Sequence, residues 1–290
     1  MTGEDTPASG STEGVEESVT MTEAGSQHRQ DDSGRARRTL GEPCWVSLMV
    51  HSMEATQRFY GELFGWEFRP GPQQLGPYVR ALLDGNEVAG IGRMPGSRRL
   101  PVAWTPYLAA DDVDATAATV RHCGGTVGVG PLDAADAGRM AIASDPAGAV
   151  FGIWQAAAHL GMAVSGVPGA PAWNELMTQD TASVARFYQS VFGYKEEAVV
   201  SADFDYVTLH LDGRPVASIH GVGRALPRDR GAHWMTHFEV ADVDEAAERL
   251  TDLGGQVLQP PHDGDRGRKA TVADPEGAVF TLVRTADGRP

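Results

Sequence analysis

The chain has 290 residues, a hydrophobic content of 41% and a formal net charge of −15. This length exceeds the usual size of one domain, and the apolar content suffices for ordinary cores, so we expect two globular domains. The negative charge argues against a nucleic-acid partner, because phosphate contacts need clustered Lys and Arg. Two cysteines, Cys44 and Cys123, have no metal-type spacing, and such sparse cysteine use favours a reducing, cytoplasmic location.

Residues 1–40 are rich in Gly, Ser, Thr and Glu and contain almost no aliphatic residues. They lack the basic-then-apolar order of a secretory signal, so their composition predicts a disordered tail. Met21 is an alternative start of the chain. The charge-free stretch 146–174 is interrupted by glycines, prolines and two polar side chains, which favours a core strand and a linker over a membrane span.

An internal repeat organises the rest of the chain. Four blocks of the first half recur in the second half, in the same order and at a nearly constant offset. RFYGELFGWE matches RFYQSVFGYK, LDGNEVAGIG matches LDGRPVASIHG, DDVDATAATVRHCGGTV matches ADVDEAAERLTDLGGQV, and DPAGAVF matches DPEGAVF. We therefore predict two domains, at 41–158 and 172–287, and a linker at 159–171 that is short enough to bring them into contact.

The first copy begins with a strand-like run and an amphipathic helix. The helix has a candidate N-cap at Ser52 and a candidate C-terminal glycine at Gly65. Its Phe59 and Tyr60 have the spacing of buried core residues. Three short extended runs follow, with Asp84-Gly85 as a hairpin signal between two of them. The order β-α-β-β-β defines one module.

This module recurs three times along the chain. The second module begins at Thr105 and has a helix that ends at Gly124-Gly125. Its last three extended runs are near 127–129, 140–144 and 150–154, each bounded by turn residues. The second copy gives two more modules, which begin at Trp173 and Trp234.

The modules carry shared motifs: FY and then FG in the first helices, DVD and then GG in the second helices, and DPxG before the last strand. This combination resembles the vicinal oxygen chelate superfamily of glyoxalases, extradiol dioxygenases and bleomycin-resistance proteins over residues 43–284. The resemblance implies an α+β fold in which four βαβββ modules form two glyoxalase-like half-barrel domains. It also implies a monomer or homodimer, and a cup that holds a divalent metal acting as a Lewis acid on a small substrate.

In that family the metal ligands come from the first and last strands of the modules, and this sequence departs from the pattern there. The corresponding positions are Trp45, Thr105, Gly152, Trp173, Met235 and Thr281. A catalytic divalent site normally needs about three ligands of suitable type. These positions therefore give no support for a metal, and a divalent metal at shifted positions is left open.

The second copy has four ionisable residues on predicted strands where the first copy has none. These are Glu175, His210, His220 and His237, which align with Ser47, Leu82, Gly92 and Tyr107. Strand alternation places Glu175 on the face of Trp173 and His237 on the face of Met235, which are cup-facing positions in the family. We interpret Glu175 and His237 as candidate catalytic residues, either a general base with its orienting partner or shifted metal ligands. The alternative is polar residues at the mouth of a pocket.

Two functions are compatible with these residues. The first is a small-molecule-binding protein of the bleomycin-resistance type that lacks the usual metal. Its pocket would be lined by Trp45, Ser47, Tyr107, Trp173, His210 and His220, together with Trp104 and Trp234. The second is a glyoxalase- or dioxygenase-like enzyme with its active site in the second domain. The missing ligands favour the binding protein, and the acidic balance favours a cationic or neutral ligand.

Overall fold

The computed structural model describes residues 38–74, 76–96, 101–199, 205–227, 230–264 and 267–286. These residues form two eight-stranded mixed sheets and four α-helices, and a short 3-10 turn at Gly223–Ala225. No helix in this part of the chain is long and apolar enough to cross a membrane. Apart from its last three residues, the predicted tail at 1–40 lies outside the described residues.

The first copy consists of β1 (Pro43–Val50), α1 (Met53–Phe64), β2 (Glu67–Pro70), β3 (Tyr78–Leu83), β4 (Asn86–Arg93), β5 (Trp104–Ala109), α2 (Val113–His122), β6 (Thr126–Ala134), β7 (Gly138–Ser144) and β8 (Val150–Ala156). The second copy consists of β9 (Pro171–Thr178), α3 (Thr181–Phe192), β10 (Lys195–Val199), β11 (Asp205–Leu211), β12 (Arg214–Gly221), β13 (His233–Glu239), α4 (Val243–Asp252), β14 (Gln256–Gly264), β15 (Gly267–Ala273) and β16 (Val279–Thr285). The predicted order β-α-β-β-β is confirmed in all four modules. β6 is longer than predicted, because two register shifts let its Gly- and Pro-containing part stay paired with β7.

Each copy makes its own sheet. The strand orders are β2-β3-β4-β1-β5-β8-β7-β6 and β10-β11-β12-β9-β13-β16-β15-β14. The two modules of a copy join through their first strands, because β1 pairs antiparallel with β5 and β9 pairs antiparallel with β13. The two sheets therefore have the same topology, and equivalent positions can be compared directly.

Helix α1 has the predicted ends but an unexpected cap. Gly65 adopts a left-handed conformation, φ 75°, and its N–H closes the helix on the carbonyl of Gly61. Ser52 is the N-cap residue, yet its side chain makes no capping hydrogen bond. The carboxylate of Glu276 accepts hydrogen bonds from the backbone N–H groups of His51 and Ser52 instead, at 2.7 and 2.8 Å. A residue of the second copy thus caps a helix of the first.

The main cores combine both copies. Phe59, Tyr60 and Phe64 of α1 pack with Phe238 and Phe280 of the second sheet. The equivalent aromatic residues of α3, among them Phe187, pack with strands of the first sheet. The core role predicted for Phe59 and Tyr60 is confirmed, and the predicted contact between the two copies is confirmed too.

Two buried polar chains connect the copies in a reciprocal way. Trp104 donates to the hydroxyl of Tyr60 at 3.1 Å, and Tyr60 donates to the carboxyl of Asp274 at 3.0 Å. Trp234, Tyr188 and Asp145 repeat this arrangement in the opposite direction, at 3.0 and 3.3 Å. Burial raises the pKa of both aspartates, against the opposing effect of their backbone hydrogen bonds. The FY and DPxG motifs therefore meet across the domain boundary.

Candidate functional site

Each sheet has one face toward the helices and one face away from them, which we call the cup face. In β1, Val46, Leu48 and Val50 belong to the core that contains α1, whereas Trp45 belongs to a separate cluster on the cup face. In β9, Leu176 joins the core and Trp173 lies on the cup face, where its indole N–H donates to the hydroxyl of Ser218 at 2.8 Å.

Two of the four tryptophans predicted to line the cup lie on the other face. Trp104 is 2% exposed and Trp234 is 4% exposed. Both donate to core tyrosines, as described above, and therefore belong to the cores between the copies. The prediction that they line a cup was wrong, because they stand one residue out of phase with the cup-facing side chains of β5 and β13.

The strand register also corrects the positions compared with the family's metal ligands. Trp173 lies opposite His237, and His237 lies beside Thr281 on β16. In the first domain Trp45 lies opposite Tyr107, beside Gly152. The residues paired with Trp45 and Trp173 are therefore Tyr107 and His237. They lie two positions after Thr105 and Met235, which sequence spacing had suggested.

The side chains at these paired positions do not fit the divalent metal that the resemblance implies. In the second domain they supply one imidazole, His237, between Trp173 and Thr281. Throughout the described residues, no group of three or more His, Cys, Asp or Glu side chains is arranged to hold a metal ion. A divalent site of the expected type needs about three such ligands.

The structure brings Glu175, His220 and His237 together on the cup face of the second domain, and we call these three residues the Glu175 cluster. His237 Nε2 lies 3.5 Å from Oε2 of Glu175, and His220 Nδ1 lies 3.8 Å from Oε1. The side chains of Glu175 and His237 are only 10% and 8% exposed, whereas that of His220 is 30% exposed. The cluster thus extends from a buried carboxylate to a partly open imidazole.

The charge of Glu175 follows from its neighbours. Burial alone would raise the pKa of its carboxyl, but interaction with His237, together with the charges of His220 and Lys269, lowers that pKa to about 2. Glu175 is therefore ionised at neutral pH. A carboxylate with such a pKa is a weak base, so its suitable roles are to hold positive charge or to orient an imidazole.

His210 does not join this cluster. Its Nε2 lies 3.3 Å from the exposed carboxylate of Glu197, and the residue lies opposite Lys195 and Pro215 on the outer strands. In the sheet, β11 is separated from β9 by β12, so His210 lies two strands from Glu175. The sequence grouped four residues, of which the structure brings three together.

The cup face of the first domain is filled by its own aromatic side chains. Trp45 donates to the hydroxyl of Tyr78 at 2.9 Å, and Ser47 donates to the hydroxyl of Tyr107 at 3.3 Å. The ring of Tyr107 covers Gly152 so closely that any side chain at this position would collide with it. Trp45 and Tyr107 are accordingly buried, at 4% and 9% exposure.

A second carboxylate–imidazole pair, which the sequence did not predict, lies beside Trp45. His159 Nδ1 lies 2.9 Å from Oε2 of Glu87, whose other oxygen accepts from Arg80 at 2.8 Å. The hydrogen bond from His159 lowers the pKa of Glu87 to about 2, although burial opposes this shift. The imidazole lies between the rings of Trp45 and Trp154. The signal in the sequence was His159 itself, a polar residue within the charge-free apolar stretch 146–174.

Comparisons with known proteins agree with this fold. The profile of the Glyoxalase-like domain family matches residues 45–154 and 174–283. The "Putative glyoxylase CFP32" of Mycobacterium tuberculosis is 36% identical over 260 residues, which cover 87% of this chain and 98% of that protein. The "Anthracycline biosynthesis protein DnrV" of Streptomyces peucetius is 34% identical over 267 residues, covering 86% and 95%.

Solved structures show the same fold at low sequence identity. The 2,3-dioxygenase LapB from Pseudomonas sp. KL28 superimposes with a TM-score of 0.61 and 16% identity, covering 86% of this chain and 93% of that chain. The Mn(II)-bound glyoxalase from Novosphingobium aromaticivorans gives a TM-score of 0.59 and 18% identity, covering 85% and 82%. The chain therefore belongs to the glyoxalase-like domain family of the vicinal oxygen chelate superfamily, with two tandem copies of the domain.

Proposed function

We propose that the protein binds a planar, neutral or cationic small molecule on the cup face of its second domain. The observation that carries this proposal is the pair of Glu175 and His237, an ionised carboxylate and an imidazole that are 10% and 8% exposed. Burying a charge is costly unless other groups compensate it. The first domain folds with Ser47 and Tyr107 at the same positions, so the fold itself does not require the pair.

The neighbours of the pair support a planar ligand. Trp173 lies beside the pair with 7% of its surface exposed, and the hydrogen bond to Ser218 fixes its indole, so a planar ligand would contact the edge of a rigid aromatic ring. The 30% exposure of His220 favours approach from that side of the Glu175 cluster. The name of the relative DnrV refers to anthracycline biosynthesis, and anthracyclines are planar polycyclic compounds. This relationship guides the choice of test ligands.

A second candidate is an enzyme that transfers a proton at the same site. It is favoured by the position of one carboxylate within 3.5 and 3.8 Å of two imidazoles. Because the pKa of Glu175 is about 2, an imidazole would accept the proton and Glu175 would orient it. His237 is the candidate base, and His220 would exchange the proton with solvent.

Titration calorimetry with the full chain tests the binding proposal. The panel contains naphthols, anthraquinones, anthracyclines and a cationic polycyclic dye. We expect at least one ligand to bind with a Kd of about 10 μM or tighter, and Glu175→Gln to weaken it by about tenfold or more. Ser47→Ala, at the equivalent position of the first domain, is the matched control and should leave the affinity unchanged.

The outcomes separate the two candidates. If no member of the panel binds, or if Glu175→Gln leaves the affinity unchanged, the binding proposal is wrong. Chromatography of the same mixtures detects a converted product, and product formation that depends on His237 would favour the enzyme. Elemental analysis of protein purified without chelator measures any bound metal, and light scattering distinguishes monomer from homodimer, both of which the proposal allows.

A further inference from the structure

The imidazole of His237 has an unsatisfied nitrogen that points to a missing ligand group. Its Nε2 is buried and has no hydrogen-bond partner among the described residues. The carboxylate of Glu175 lies 3.5 Å away, which is longer than the usual N–H···O hydrogen bond. A buried polar atom without a partner is costly, so a group from outside the chain that satisfies it would bind favourably.

The chemistry of the two groups restricts what this missing group is. An ionised carboxylate only accepts hydrogen bonds, and an imidazole that carries a proton on Nε2 donates there. At a separation of 3.5 Å, a single oxygen can lie about 2.8 Å from both atoms. That oxygen must accept from His237 and donate to Glu175. A hydroxyl does both, whereas a carbonyl or an ether oxygen only accepts.

We propose that His237 and Glu175 together bind one hydroxyl group of the ligand, which accepts from His237 Nε2 and donates to Glu175 Oε2. This inference rests on the proposed function and narrows its ligand class to hydroxylated compounds, with phenols as the simplest planar members. Ser47 and Tyr107 replace the pair in the first domain and already satisfy each other at 3.3 Å. The first domain also has an unsatisfied imidazole nitrogen, Nε2 of His159, but that ring packs against Trp45 and Trp154 and its carboxylate partner Glu87 is bound through Nδ1.

A matched pair of probes tests this selectivity. 2-Naphthol and 2-methoxynaphthalene have the same planar ring system, but only the naphthol has a hydroxyl hydrogen. We expect the full chain to bind 2-naphthol at least about tenfold more tightly than the methyl ether, measured by tryptophan fluorescence quenching. Glu175→Gln and His237→Phe should each bring this ratio close to one, and Ser47→Ala should preserve it.

The results distinguish this inference from the proposed function. If both probes bind equally to the wild-type chain and Glu175→Gln weakens both, the ligand site stands and the hydroxyl assignment is wrong. If the ratio is large but survives both substitutions, the hydroxyl is recognised elsewhere, and the assignment is again wrong. If neither probe binds and no other planar ligand does, the proposed function fails together with this inference. Urea unfolding of each variant verifies that it is folded.

Discussion

The two cup faces share strand order and register but are filled in opposite ways. Four positions of the first domain differ from their equivalents in the second: Ser47 corresponds to Glu175, Gly92 to His220, Tyr107 to His237, and Gly152 to Thr281. In the first domain, aromatic rings cover glycines and are hydrogen-bonded to one another. In the second domain, the same positions hold an ionised carboxylate between two imidazoles. Both cup faces are largely buried, and they differ in chemistry: the first holds hydroxyls and an indole that satisfy one another, and the second holds a carboxylate beside an imidazole nitrogen without a partner among the described residues.

The interface between the copies shows how the first domain contributes to the stability of the second. Helix α1 contributes Tyr60 to the core of the second sheet, where it bonds Asp274, and α3 contributes Tyr188 in return. Neither domain can be removed without exposing this shared core, because each copy buries its first helix against the other. The first domain therefore stabilises the second domain, and with it the proposed ligand site.

Trp45→Ala is the strongest way to break this comparison. If the first cup face is core, removal of the buried indole should lower the free energy of unfolding by about 3–5 kcal/mol. Urea unfolding of the full chain measures this change, and calorimetry should show ligand affinity within about twofold of wild type. A loss of less than about 1 kcal/mol would mean that the first cup can open, and the comparison would be wrong.

The pH dependence of stability tests the charge assigned to the second cup. Because the folded-state pKa of Glu175 is lowered to about 2, its carboxylate stabilises the folded state at neutral pH. This contribution, at most about 3 kcal/mol, is lost as the pH falls from about 5 toward 2. We therefore expect the difference in unfolding free energy between wild type and Glu175→Gln to shrink between pH 7 and pH 3. A difference that does not change with pH would contradict an ionised, stabilised Glu175.

Glu87 provides the matched measurement in the first domain. Its pKa is also lowered to about 2, chiefly by the hydrogen bond from His159. Glu87→Gln should therefore show a pH dependence of the same sign, but it should leave ligand affinity unchanged. A loss of affinity in this variant would move the binding site toward the first domain.

The sequence predicted the modules well because the relevant signals are local. Turn residues such as Asp84-Gly85, helix-ending glycines such as Gly65 and strand alternation are read within a few positions, and the repeat supplied an independent check. Alternation from Trp173 also placed Glu175 on the correct face. His237 was placed on the same face from Met235, two residues away.

The errors arose where long-range pairing decides the outcome. His210 lies on β11, two strands from Glu175 on β9, and contacts Glu197 instead, and sequence spacing gives no sign of this strand order. The faces of Trp104 and Trp234 depend on how β5 and β13 pair with their neighbours. His159 meets Glu87 only because the segment after β8 returns across β4, a contact that no local pattern encodes.

Gly152→Ala and Thr281→Ala compare how tightly the two cup faces are packed at one equivalent position. An added methyl group at Gly152 would collide with the ring of Tyr107, so we expect a loss of about 1–3 kcal/mol in unfolding free energy. Thr281→Ala removes atoms instead and should cost about 1 kcal/mol or less. Urea unfolding compares the two variants. Equal effects would indicate that Tyr107 can move away from Gly152, and that the first cup is less tightly filled than the structure shows.

Glu276→Ala should have the smallest effect, because it removes a helix cap and leaves both cup faces intact. The carboxylate accepts from the N–H groups of His51 and Ser52 at the start of α1, and loss of such a cap costs about 1 kcal/mol. The equivalent position of the first copy is Ala147, while α3 is capped by its own Asp180. Ala147→Glu is therefore the control, and it should add no stability because the N–H of Asp180, the equivalent of Ser52, already donates to Thr178 Oγ1 at 3.4 Å and α3 already has its own cap. Urea unfolding that shows no loss in Glu276→Ala, or a gain of about 1 kcal/mol in Ala147→Glu, would contradict this asymmetric capping.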